Sequence, residues 1–436
     1  MSTTPTPRPG TDREILRLAI PAFFALISEP LFLLADTAIV GHLGTAQLGA
    51  LGIAAAVIGT VMSLCVFLAY GTTASVARQI GAGRTSAALT QGIDGIWLAI
   101  LVGLGATGVA EAFLHPIVGA FGAPPAASAY AVTYLRIALL GLTPLLVMLA
   151  ATGVLRGLQD TRTPLAVAVV GNAANVALNL ALVYGAGLGI AGSAWGSVLA
   201  QVGSAAALAY VVVNAARRHH ARLAPDLPGI KAAATAGVPL IIRTATLRAA
   251  LLLMTYGAAR FGEVPLAAMQ LTMTVWLFLA FALDAIAIAA QALTGRYLGA
   301  GNVADVRVIT DRMTRWGLVS GIVTGLGLAA LSPFLGRLFT SDPAVLDLLV
   351  PVLLVAALCQ PVAGVVFVLD GVLIGAGDGR YLALAGTLVL IAFAPAALLA
   401  TSLTWLWVAF CVAFMGGRAV VLLYRARGSA WMALGS

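Results

Sequence analysis

Apolar residues run along this chain in long unbroken stretches separated by short polar loops. Stretches of the roughly 20 residues needed to cross a bilayer lie at about 15–40, 50–75, 90–112, 130–155, 164–185 and 191–215. A second set follows at about 235–258, 265–292, 312–333, 346–374, 381–400 and 403–424. Leu, Ala, Val and Gly fill these stretches without period-2 alternation, which favours helices over a β-barrel. The pattern predicts an all-α integral membrane protein with twelve transmembrane helices, helix 1 to helix 12 in chain order.

The two sets repeat each other. Gly153-Val-Leu-Arg-Gly-Leu-Gln-Asp-Thr-Arg162 returns 218 residues later as Gly371-Val-Leu-Ile-Gly-Ala-Gly-Asp-Gly-Arg380. In the same register Pro21 maps onto Pro239 and Gly44 onto Gly262. The expected architecture is two pseudo-symmetric six-helix bundles: an N-lobe at 15–215 and a C-lobe at 235–424. A polar linker at 216–234 joins them, and tails at 1–14, expected to be disordered, and 425–436 flank them. Two equivalent halves offer a substrate site at their interface and a way to alternate its access, which points to a transporter.

Composition agrees with the membrane reading. The chain has 61% apolar and 9% charged residues, with a mean hydropathy of +1.03, far from the soluble average of about 25% charged. Its net charge of +8 is spread over short loops, where it needs no partner beyond anionic lipid head groups; nucleic acid is not expected. Arg78, Arg84, Arg156, Arg162, Arg296 and Arg380 all follow even-numbered helices. By the positive-inside rule both termini are then cytoplasmic. The excess of Arg over Lys, with abundant Ala, Gly and Val, points to a GC-rich bacterial genome and so to a plasma membrane.

Enzyme chemistry finds little footing. Cys65, Cys359 and Cys411 lie far apart in sequence inside apolar runs, and the four histidines join no metal-binding motif. The signal lies in ionisable and polar residues within the spans, which insertion cost confines to interior faces. Helix 1 carries Glu29 and Asp36, seven residues apart and so expected on one face, with Pro30 between them as a bend. Helix 5 carries Asn172, Asn175 and Asn179 in one stripe, and helix 6 carries Ser193, Ser197 and Gln201. A carboxylate among amides and hydroxyls is suited to exchanging H⁺ or Na⁺ for a cationic substrate; the alternative is an interhelical packing network. In the second half Arg248 in helix 7 needs a counter-charge, for which Asp284 and Asp370 are the candidates, with Gln291 nearby on helix 8. That group is either functional or a self-neutralising pair.

Leu34-Ala-Asp-Thr-Ala-Ile-Val-Gly-His-Leu43, Gly171-Asn-Ala-Ala-Asn175, Ala282-Leu-Asp-Ala285 with Gly299-Ala-Gly301, and Leu369-Asp-Gly-Val-Leu-Ile-Gly375 together resemble the multidrug and toxic compound extrusion (MATE) transporters, in the branch of DNA-damage-inducible protein F. The resemblance spans all twelve helices. It implies export of amphipathic or cationic small molecules in exchange for H⁺ or Na⁺, with Asp36 as the coupling carboxylate and no other cofactor. Many relatives in that branch have a second acid at the position of Asn179, and a Na⁺-coupled branch uses a helix 7 glutamate where this chain has Leu247 and Arg248. Both departures favour H⁺ over Na⁺. The expected protein is a monomeric proton-coupled exporter. Alternatives are a Na⁺-coupled antiporter of the same family, a flippase of lipid-linked precursors, which should line its cavity with more cations, and a membrane-embedded enzyme, for which the chain lacks a catalytic constellation.

Overall fold

The computed structural model describes residues 11–433, and among these the regular structure is helical throughout. Twelve helices are long and apolar enough to cross a membrane. In the first half they are α1 Thr11–Gly41, α2 Thr45–Gly81, α3 Thr85–Ala112, α4 Pro125–Gly157, α5 Arg162–Gly185 and α6 Gly189–Arg218. In the second they are α7 Leu227–Arg260, α8 Glu263–Gly299, α9 Val303–Leu338, α10 Pro343–Gly375, α11 Gly379–Leu398 and α12 Leu403–Arg427. A turn at Val66 interrupts α2, a 3-10 turn at Leu139–Gly141 interrupts α4, and α5 ends in a π-helical turn, Ala181–Gly185. The number and order of helices match the apolar runs, but many helices extend beyond them.

The extensions correct three expectations. The tail expected at 1–14 lies outside the described residues only as far as residue 10; from Thr11 the chain is already helical. Asp12 and Glu14 lie in the first turn of α1 and find side-chain partners: Arg312 meets Asp12 at 2.7 and 2.5 Å, Trp316 Nε1 donates to it at 2.9 Å, and Arg296 reaches Glu14 at 3.0 Å. The linker expected at 216–234 shrinks to 219–226 between α6 and α7, because alanine-rich sequence from Leu227 onward propagates helix. The tail expected from 425 is helical to Arg427, and Trp431 folds back, buried, to donate to the carbonyls of Ala426 and Gly428.

The described chain divides into two compact units, one of Phe24–Gly237 and the other of residues up to Phe23 with those from Val238 onward. The division therefore falls inside α1 and inside α7, whereas sequence reading set it in the linker. In the first unit α4 packs on α2 through Gly153 and Gly157, where a Cβ would crowd Ala69 and the carbonyl of Thr73. In the second, Gly371 and Gly375 of α10 pack on α8, where a Cβ would overlap the carbonyls of Ala287 and Gln291. These are the same contacts in the register of the repeat, and they explain why the Gly-x-x-x-Gly spacing recurs: small residues let two helix backbones touch. The second unit is further held by Trp276, Trp407 and Phe410, with edge-on rings 5.6–5.7 Å apart, and by Gly317, Gly321 and Gly325 of α9 against the α10 backbone.

Candidate functional site

In the unit Phe24–Gly237 the polar stripes of α1, α5 and α6 converge. Asp36 is 3% exposed, and its Oδ1 accepts from Asn179 Nδ2 and Ser193 Oγ, each at 2.8 Å. One turn along α5, Asn175 Nδ2 donates to Ser197 Oγ at 3.2 Å. Asn172 Nδ2 reaches the Ser28 carbonyl at 3.1 Å, and Tyr184, on the π-helical turn, donates to the Ile39 carbonyl at 2.8 Å. Main-chain and side-chain bonds thus tie α5 to α1 along its length, as the helical spacing of the three asparagines predicts.

Small residues make room for this network. A Cβ at Gly196 would overlap Asn179 Oδ1, and one at Gly141 would overlap Gln201 Oε1. Both oxygens, with Asn175 Oδ1, are buried and lack a hydrogen-bond partner among the described residues. Tyr134 of α4, also buried, stands beside Asp36 and engages the hydroxyls of Ser193 and Ser197. Sequence reading missed it, because one tyrosine in an apolar helix carries no spacing signal. No basic side chain pairs with Asp36 among the described residues, so its charge is met by neutral donors alone.

Glu29, two turns before Asp36 on α1, takes no part in the hydrogen bonds around that acid. It lies on the exposed surface of α1 while Asp36 is buried, so the seven-residue spacing does not bring them into one environment. The helix runs on through Pro30 without interruption.

The second unit holds an acid in different company. Asp370 of α10, 3% exposed, is paired with Arg243 of α7 and lies 2.8 Å from Arg418 of α12. Arg248, expected as the cation of this network, is exposed and takes no part in it, because Arg243, five residues earlier, presents its guanidinium to α10 instead. Asp284 is half-buried and Gln291 buried on α8. Cys359 and Cys411, distant in sequence, come together here as free thiols. Among the described residues no cluster of three or more His, Cys, Asp or Glu side chains forms a metal site.

Comparison with known proteins decides the lineage. The MatE family matches residues 21–181 and again 239–399, in the register of the internal repeat. The chain belongs to the MatE family. DETOXIFICATION 44, a chloroplastic protein of Arabidopsis thaliana, is 32% identical over 85% of this chain and 74% of its own length. DNA damage-inducible protein F of Escherichia coli is 27% identical over 84% of this chain and 81% of its own. Among solved structures, the MATE transporter VcmN of Vibrio cholerae superposes with a TM-score of 0.89 at 21% identity, covering 97% of this chain and 98% of that one. MATE proteins are multi-pass membrane transporters that export drugs and toxic small molecules, and this chain is a transporter of that family and not an enzyme.

Proposed function

We propose that this MATE transporter exports amphipathic organic cations in exchange for protons, by alternating access, with Asp36 as the coupling group. The contrast between two of its buried acids, Asp36 and Asp370, carries the reading. Asp370 has arginine on both sides and is already neutralised, whereas the hydrogen bonds to Asp36 come from neutral groups, an amide and a hydroxyl. A carboxyl group without a resident cation can exchange a proton for a cationic solute; one locked between arginines cannot without breaking that pairing. Asn179 and Ser193 hold Asp36 in place, Asn175 and Ser197 extend the polar path, and Tyr134 closes it on α4. In this reading proton uptake at Asp36 loosens its bonds to α5 and α6, and the change in the network accompanies substrate release. The protein sits in a bacterial cell membrane with both termini in the cytoplasm, as the distribution of arginines supports.

A second reading has one observation in its favour. The unpartnered oxygens of Asn175 and Asn179 are hard ligands and would suit Na⁺. A single carboxylate is a weak basis for such a site, which ranks it second. Both readings are tested by ethidium efflux from liposomes containing the purified protein, under imposed pH or Na⁺ gradients applied separately, beside Asp36→Asn. Uphill transport driven by the pH gradient and abolished in the variant supports proton antiport; drive by Na⁺ alone overturns it in favour of the second reading.

A further inference from the structure

A separate cavity of about 270 Å³ lies in the unit Phe24–Gly237, beneath the start of α7. Its apolar wall includes Phe67 and Leu68 of α2, Leu98 of α3 and Ala233 of α7; its polar groups include Asp94 and Gln91 of α3. None of the lining residues belongs to the Asp36 network.

Asp94 is 4% exposed, and its Oδ1 has no hydrogen-bond partner among the described residues. The cation facing it is only partly committed to it. Arg222 stands 4.0 Å from that oxygen, beyond hydrogen-bond reach, with its side chain 47% exposed, and places its guanidinium 2.7 Å from Asp226 instead. An acid kept only to anchor the linker would be expected at contact distance, as Asp12 is to Arg312. The backbone of Asp226 also bonds Asp94, and Gly229 lets the main chain approach so closely that a Cβ there would overlap the carboxylate. The nearby hydroxyls are already used: Thr72 donates to the Leu68 carbonyl at 2.6 Å and Ser75 to that of Thr72 at 3.2 Å. Asp94 is therefore a buried, incompletely compensated carboxyl group that borders a mostly apolar chamber. Its charged form is costly to bury unless something offsets it.

We propose that this cavity is a binding site for a small amphipathic organic cation, whose ammonium group sits on Asp94 and Gln91 and whose hydrocarbon body lies against Phe67, Leu68, Leu98 and Ala233. At interior packing density of about 0.74 the space holds roughly a dozen non-hydrogen atoms, the size of an arylalkylamine. Anions are repelled by Asp94, and a neutral alcohol isostere can donate only an uncharged hydrogen bond, which is weaker than that of an ammonium. An occupant touches α2, α3 and the first turns of α7 at once, and so consolidates the segment Leu227–Gly237 on this unit. This site stands independently of the role proposed for Asp36.

The test uses the full chain in lipid nanodiscs and titrates phenethylammonium by calorimetry, with 2-phenylethanol as the neutral isostere. Saturable binding of the amine is expected in wild type and equally in Asp36→Asn. It should weaken about tenfold or more in Asp94→Asn, the scale of a lost charge-assisted hydrogen bond. Ala233→Leu, which fills the chamber and keeps the carboxylate, should weaken it as well, and so should Gln91→Ala, which leaves the acid and its linker contacts alone. The last two variants decide the matter if Asp94→Asn does not fold. The proposal is overturned by absence of saturable binding in wild type, by equal affinity for the alcohol, by loss of binding in Asp36→Asn, or by unchanged affinity in the folded cavity variants.

Discussion

Asp94 on α3 and Arg312 on α9 occupy equivalent positions of the repeat, 218 residues apart, and carry opposite charge. Each faces a complementary group on the segment that leads into a first helix of the repeat. Arg312 holds Asp12 at the start of α1, and Asp94 faces Arg222 just ahead of α7. An indole reinforces each: Trp316 Nε1 donates to Asp12 at 2.9 Å and Trp97 Nε1 to the Leu223 carbonyl at 3.0 Å. The sign of the charged residue is inverted between the halves while its position in the repeat is kept, and only the Asp12 pair closes to contact distance. Geometry, not residue identity, is what the repeat preserves here.

Because the Asp12 pair is partly exposed, it should matter more locally than globally. Asp12→Ala is expected to leave the thermal midpoint almost unchanged and to speed amide exchange over the first turns of α1. Hydrogen exchange resolved by mass spectrometry reads both the effect and its confinement. Faster exchange throughout the second unit would contradict it.

Breaking the Asp370 cluster should be far more damaging. Asp370→Ala leaves Arg243 and Arg418 buried without their shared counter-charge, at a cost of about 3–5 kcal/mol. A large drop in thermal midpoint is expected in detergent, with little change for Arg248→Ala, since Arg248 is exposed and outside the cluster. Equal drops in the two variants would show that the pairing has been misassigned.

Asn179 sets the number of acids beside Asp36. Asn179→Asp places a second carboxylate where the amide now donates at 2.8 Å, and two neighbouring acids favour a bound cation. The variant is expected to gain transport driven by a Na⁺ gradient. Flux assays in liposomes with each gradient alone make the comparison, and a variant still blind to Na⁺ would count against the electrostatic account.

The linker should loosen only in acid. Arg222 hydrogen-bonds Asp226 at 2.7 Å and holds its carboxyl below the ordinary carboxylate value. A depressed folded value contributes stability above the unfolded value of about 3.9, which is lost as pH falls through the folded one. Amide exchange over residues 219–229, corrected for intrinsic rates, is expected to be flat from pH 8 to about 5 and to rise only below about 4. A transition near neutrality would point to a different titrating group.

Much of this arrangement could be read from the chain. Twelve apolar runs gave twelve helices because a bilayer fixes span length, and the asparagine stripe of α5 turned toward α1 and α6, with Asn179 on Asp36, because helical period fixes which residues share a face. What escaped depends on the third dimension. Arg243 and Arg248 differ by little more than a helical turn, and only the direction of the guanidinium on the folded helix says which one meets Asp370. Tyr134 joins the Asp36 network from another part of the chain with no motif to announce it. The two units divide inside α1 and α7 and not at the polar linker, because polar composition marks where a chain is exposed, which is not where packing changes partners.

That boundary has its own consequence. The chain passes from one unit to the other within α1 after Phe23 and within α7 after Gly237. The repeated prolines, Pro21 and Pro239, lie within two residues of those crossings, and each removes a backbone donor from its helix. The chain therefore passes from one unit to the other inside helices and not in loops. Asp36 rides on one of these helices, thirteen residues beyond the crossing, while the near end of the same helix is bolted down by Arg312 and Arg296.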